Sequence, residues 1–147
     1  RQMCIRDSRT LDYVFSWDKL LAMQGNTAPY LQYAVARISS IFRKIGDNTE
    51  YSFQEARPPQ TQHERTLARK LLFFPLALSQ TLRELKPHFL CTYLYELATD
   101  FSSFYNHDKV MVEERATQDL RMLLCLRTKT FLCAGLDILG IDTLEEM

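Results

Sequence analysis

Two tyrosines, an arginine and a lysine stand at positions 30, 33, 37 and 44 of this 147-residue chain. At about 100° per residue, a helix would carry Tyr30, Tyr33, Arg37 and Lys44 within one narrow sector, about 120° away from the apolar face of the same segment. Tyrosine offers a flat apolar ring with a polar tip. Arginine offers a charged plane that stacks on rings or forks onto phosphate. Aromatics interleaved with cations are what unstacked RNA bases need, rings to stack on and charges for the backbone. Each stacked base contributes about 1–3 kcal/mol, so two or three such contacts with a few phosphates reach useful affinity. Tyrosines at the edge of a core, with hydroxyls reaching water, make the same pattern, and the pattern alone favours that plainer reading. Further cations cluster at Arg37/Arg43/Lys44, Arg57/Arg65/Arg69/Lys70 and Arg121/Arg127/Lys129. They gather into a basic side only if packing aligns them, since charge runs are usually solvated faces.

No catalytic constellation emerges from the other polar residues. His107-Asp108 and Glu113-Glu114 have the types for acid–base work, but turn chemistry and helix N-terminal charge account for them. His88, beside Pro87, reads as structural, and His63 as solvated. Met111 and Met122 read as packing residues. The chain has no Gly-rich phosphate loop, nucleophile elbow or Cys/His dyad. Cys4, Cys91, Cys125 and Cys133 form no C-x-x-C pair, and the three histidines complete no zinc spacing. No catalytic and no metal-ligating residue is therefore assigned. Four cysteines are too few for a secreted disulfide scaffold. They read as reduced, structural thiols of an intracellular protein.

The elements that must hold the tyrosine–arginine stripe are helical. With 18 Lys+Arg, 18 Asp+Glu and 46% hydrophobic residues, the chain is composed like one globular domain. That balance excludes disorder and a histone-like basic tail. No apolar run approaches the length of a transmembrane span. Glycine is scarce and hairpin signals are absent. Asp12 to Met23 predicts a short amphipathic helix, followed by a break at residues 24–28 with Thr27 as N-cap. From Pro29, the residues Leu31, Val35, Ile38, Phe42 and Ile45 step by four, three, four and three, one continuous apolar face ended by Gly46. Asp47 to Gln60 is a polar surface loop. A helix over about 61–73 carries Leu67, Leu71 and Phe74 on one side. It breaks at Pro75 and restarts to about Leu85. Pro87 opens a long helix to Tyr105 with Leu90, Leu94, Leu97, Phe101 and Phe104 inward, and a turn at Asn106-His107-Asp108 follows. The last helix spans about 113–139, with Leu120, Leu124, Phe131, Ala134 and Ile138 inward and Gly140 as cap. The fold class is all-α, a bundle of four to five main helices.

Three stretches resemble arginyl-tRNA synthetases. The first is Asp12-Tyr-Val-Phe-Ser-Trp-Asp-Lys-Leu-Leu with Gly25-Asn-Thr-Ala-Pro-Tyr-Leu-Gln-Tyr-Ala-Val-Ala-Arg37. The second is Tyr93-Leu-Tyr-Glu-Leu-Ala-Thr-Asp-Phe-Ser-Ser-Phe-Tyr105-Asn. The third is the ending Gly135-Leu-Asp-Ile-Leu-Gly-Ile-Asp-Thr-Leu-Glu-Glu-Met147. They stand in the family's order and cover about Thr10 to Met147. The resemblance implies a class I synthetase that ligates arginine to tRNA with ATP and magnesium in a Rossmann-type catalytic domain. The His-Ile-Gly-His-like and Lys-Met-Ser-Lys-Ser-like signatures of that domain do not occur here. What the resemblance leaves is the all-α anticodon-binding bundle at residues 29–147, preceded by a junction segment at 9–28. The octet at 1–8 looks like a translated sequencing adapter or cloning scar. Carried over residue by residue, the resemblance places Tyr30, Tyr33, Arg37, Tyr105 and Met147 against the anticodon loop. The implied partner is tRNA of the arginine isoacceptors. The implied parent is a monomer, cytoplasmic or organellar, without a membrane partner. The fragment itself is expected to bind no cofactor and to be inactive alone. Residues 47–59 match no family motif and receive no role. The helical anticodon bundle of another class I synthetase and a protein-interaction bundle are the alternatives.

Overall fold

A computed structural model describes residues 16, 22, 25–45 and 54–143. Among the described residues the chain forms five helices and no strand: α1 (Ala28–Ile45), α2 (Gln62–Leu72), α3 (Phe74–Glu84), α4 (His88–His107) and α5 (Arg115–Ile138). Gly25 turns the chain at a φ of 82°, where a residue without Cβ meets no steric penalty. The Thr27 hydroxyl oxygen then accepts the Tyr30 N–H at 3.4 Å while donating to the Ala22 carbonyl at 2.7 Å. Thr27 thus caps α1, and Pro29 suits its first turn. Leu31, Val35 and Ile38 are buried, with Phe42 and Ile45 half-buried against the core, as the four-three spacing requires.

α2 opens with a capping box, in which the Thr61 side chain accepts the Glu64 N–H and the Glu64 carboxylate accepts the Thr61 N–H. Phe73 is the joint where α2 ends and α3 begins, and Pro75 lies in the first turn of α3, where a missing N–H costs little. α3 ends at Leu85, a left-handed residue at φ 52°. The Lys86 N–H closes onto the Thr81 carbonyl there at 3.2 Å, a Schellman-type end.

α4 is central and packs against each of the other four helices. Its Leu90, Leu94, Leu97, Phe101 and Phe104 are fully buried. α5 crosses it closely at Gly135, where an added Cβ would stand 2.5 Å from a Leu94 methyl carbon. Phe74 stacks on Phe131 with ring centroids 4.5 Å apart and tilts onto Tyr93, which ties α3 to both long helices.

Several expectations are corrected. α4 runs on through His107, whose Nδ1 lies 2.8 Å from the Ser103 carbonyl, and Asp108 closes the helix with its N–H on the Phe104 carbonyl. Ile138 points outward because Leu136 and Leu139 take the inward positions of that turn. His63 is not merely solvated: it stacks on His107 with centroids 4.2 Å apart and lies 3.1 Å from the Ser103 hydroxyl. Met122 is buried, whereas Met111 is 56% exposed, since it follows the end of α4 and belongs to no helical face. The octet at 1–8, the Gly46 cap, Met147 and, apart from Ser16 and Ala22, the Asp12–Met23 helix lie outside the described residues.

Candidate nucleic-acid interface

Tyr33 and Arg37 are one turn apart on α1, so they share a side of the helix. Tyr105 arrives from the last turns of α4. The Arg37 guanidinium carbon lies over both rings, 5.4 Å from the Tyr33 centroid and 4.8 Å from the Tyr105 centroid. Both distances fall within the range of about 6 Å at which a cation is drawn to a ring face. Phe101, fully buried, backs Tyr105 at 6.0 Å and anchors this group to the core. Tyr33 remains 41% exposed. The arrangement is two phenol rings joined by one positive plane, with one ring open to water.

Tyr105 also lines a neighbouring open cleft of about 350 Å³, together with Ile41, Lys44, Lys109, Val110 and Met111. The cleft has an apolar floor and two exposed ammonium groups, Lys44 and Lys109. Stack and cleft therefore form one surface. It can take flat apolar groups face-on and hold anionic groups beside them.

A buried ionic cluster lies behind the far wall of the cleft. The Glu64 side chain is fully buried and accepts five hydrogen bonds. Arg57 grips it in bidentate fashion at 2.8 and 3.0 Å. Arg121 Nε donates to it at 2.8 Å, and the Gln60 and Thr61 N–H groups donate at 2.8 and 3.1 Å. Burial opposes the charge on Glu64. The donors from Arg57, Gln60, Arg121 and Thr61 outweigh it and hold the carboxyl at about 2, against an ordinary 4.5. The same carboxylate raises the Arg57 guanidinium above its ordinary value. The other two Arg121 nitrogens reach the Lys109 carbonyl at 2.6 Å and Asp108 Oδ1 at 3.3 Å. Asp108 Oδ2 accepts the Thr61 hydroxyl at 2.9 Å.

Residues 31–147 match the family model described as the DALR anticodon binding domain. The chain belongs to the DALR anticodon-binding domain family. Curated relatives include the arginine–tRNA ligase of Haemophilus influenzae strain PittEE, 48% identical over 95% of this chain and 24% of that protein. That of Erwinia tasmaniensis is 46% identical over the same shares, 95% and 24%. The chain thus spans about a quarter of the length of these relatives. Solved structures agree. The arginyl-tRNA synthetase of Plasmodium falciparum matches with a TM-score of 0.85 and 30% identity, covering 99% of this chain and 26% of that one. The Thermus thermophilus enzyme matches with a TM-score of 0.76 and 35% identity, covering 86% and 22%.

In this DALR domain the predicted stripe divides. Tyr33, Arg37 and Tyr105 come together, and Lys44 continues the surface into the cleft. Tyr30 has its ring contact with Tyr95, 5.6 Å away and tilted by 56°. Tyr95 precedes Tyr105 on α4 by about 15 Å at the rise of a helix, so Tyr30 belongs to a separate aromatic pair. Met147 lies outside the described residues. Arg57 and Arg121, counted among the surface clusters by sequence, turn inward onto Glu64 because a buried carboxylate needs cationic partners. Arg57 also gives the supposedly unassigned loop a structural part. Lys109 and Met111 escape sequence reasoning. Their only signal is position, directly after a long helix and out of register with any face. Among the described residues, no cluster of three or more His, Cys, Asp or Glu could hold a metal ion, and no helix is long and apolar enough to cross a membrane.

Proposed function

We propose that this DALR domain binds the anticodon loop of arginine tRNA for an arginine–tRNA ligase of which it forms part. The observation that carries the reading is the single guanidinium of Arg37 shared by the Tyr33 and Tyr105 rings beside a cleft bearing two lysines. Loop bases stack on the phenols, Lys44 and Lys109 meet backbone phosphates, and Arg37 contacts phosphate or a base edge. Tyr30 and Met147 extend the contact on the strength of the resemblance alone. The names of the curated relatives and of the solved structures support arginine as the amino acid. Arginine activation, with its ATP and magnesium, belongs to the remainder of the parent enzyme, which acts as a cytoplasmic monomer. This chain alone therefore performs no aminoacylation.

The test is a titration of the full 147-residue chain with a hairpin RNA carrying an arginine anticodon. Tyr33→Ala should weaken binding by about 1–3 kcal/mol, the value of one stacked base. Raising the salt should weaken it further, through counterion return to the phosphates. Affinity unchanged by Tyr33→Ala removes the ring from the interface.

A further inference from the structure

The wall of the cleft formed by Lys109, Val110 and Met111 lies between α4 and α5 and has no secondary structure of its own. Val110 anchors its middle in the core, and the Arg121 side chain reaches its main chain from behind. Resting on the RNA-binding reading above, we propose that Arg121 is a positioning residue for tRNA, holding this wall in its binding shape without touching the RNA. Arg121 uses each of its three nitrogens differently. Nη1 donates to the Lys109 carbonyl at 2.6 Å, Nη2 to Asp108 at 3.3 Å, and Nε to Glu64 at 2.8 Å. A planar fork spreads its donors over three nitrogens in fixed directions and so reaches three separated acceptors, whereas the three N–H donors of an ammonium all radiate from one nitrogen. Glu64 in turn is immobilised by Arg57 and two main-chain N–H groups. The Arg121 side chain is only 11% exposed, so its influence passes through the Lys109 main chain to the lysine and methionine that face the cleft.

Arg57 supplies an internal control. It grips the same carboxylate, yet its other hydrogen bonds go to the Thr117 hydroxyl and the Pro58 and Ala116 carbonyls, none of them in the wall. Both arginines stabilise the cluster, and of the two Arg121 alone hydrogen-bonds the wall.

The experiment compares the affinities of the full chain for two hairpin RNAs, one with an arginine anticodon and one with the anticodon bases replaced. It runs at a temperature where circular dichroism shows every variant folded. Arg121→Gln should weaken the arginine hairpin about tenfold, the equivalent of one lost stacking contact, and shrink the preference between hairpins by the same factor. Arg57→Gln should keep the preference. Arg121→Lys, which restores the charge but not the fork, should not rescue it. If Arg121→Gln fails to fold, Arg121→Lys and Asp108→Asn carry the comparison. Equal effects of Arg57→Gln and Arg121→Gln, or an intact preference in Arg121→Gln, overturn the positioning role while leaving the proposed function standing. A wild-type chain that binds neither hairpin, or both alike, overturns the proposed function and this inference with it.

Discussion

Protonation of Glu64 should be the step that loosens this domain in acid. The carboxyl is held at about 2 in the fold against an ordinary 4.5. At about 1.4 kcal/mol per pH unit, the ionised form contributes about 3 kcal/mol. The folded value lies below the unfolded one. The contribution is therefore complete above pH 4.5 and is lost as pH falls from 4.5 toward 2. Glu64→Gln removes the charge at every pH, leaves two guanidinium groups without their shared counter-charge and replaces one acceptor oxygen by a donor, a change that typically costs about 3–5 kcal/mol. Urea unfolding of both proteins, followed by circular dichroism at several pH values, isolates the effect, because the other carboxylates titrate alike in each. Near neutral pH, wild type should exceed Glu64→Gln by about 3 kcal/mol or more. The gap should narrow by about 1 kcal/mol per unit below pH 4.5. A gap that stays constant from neutral pH to pH 3 would refute the role assigned to the ionised carboxylate.

Other substitutions test the helix ends and the core. Leu85 sits at φ 52° and is 73% exposed. Leu85→Gly should therefore raise stability by about 0.5–1 kcal/mol, seen as a higher melting temperature, by relieving a left-handed non-glycine residue. Gly135→Ala should lower stability by about 1–3 kcal/mol in the same assay, because the buried Leu94 methyl carbons occupy the space of the new Cβ. Burial pushes the Cys125 thiol up to about 12. Iodoacetamide at pH 8 should leave it unmodified in the native chain and label it once urea is added, as mass spectrometry of the peptide would show.

The helical frame was legible because apolar spacing is a strong signal. Leu31, Val35 and Ile38 on α1 and all five marked residues of α4 are buried where periodicity puts them. The break at Phe73, just before Pro75, follows from the missing N–H and the ring's clash with the preceding turn. Legibility failed where one residue's surroundings come from distant segments. Thr61-x-x-Glu64 has the spacing of a capping box, yet nothing local shows that the same carboxylate also gathers Arg57 and Arg121. Helical angles placed Tyr30 with Tyr33 and Arg37, but a wheel says nothing of the neighbouring helix, and Tyr95 draws the first ring aside. Met111 and Lys109 line the cleft on a turn that Arg121 of α5 bonds through the Lys109 carbonyl and Val110 anchors in the core.

Because one guanidinium serves both the Tyr33 and the Tyr105 ring, three side chains on two helices have surrendered their rotamer freedom before any partner arrives. That ordering is usually charged against an encounter. Here the folding of the bundle has already met it, so on the proposed reading an RNA base would meet a stack already in place rather than one it must first assemble.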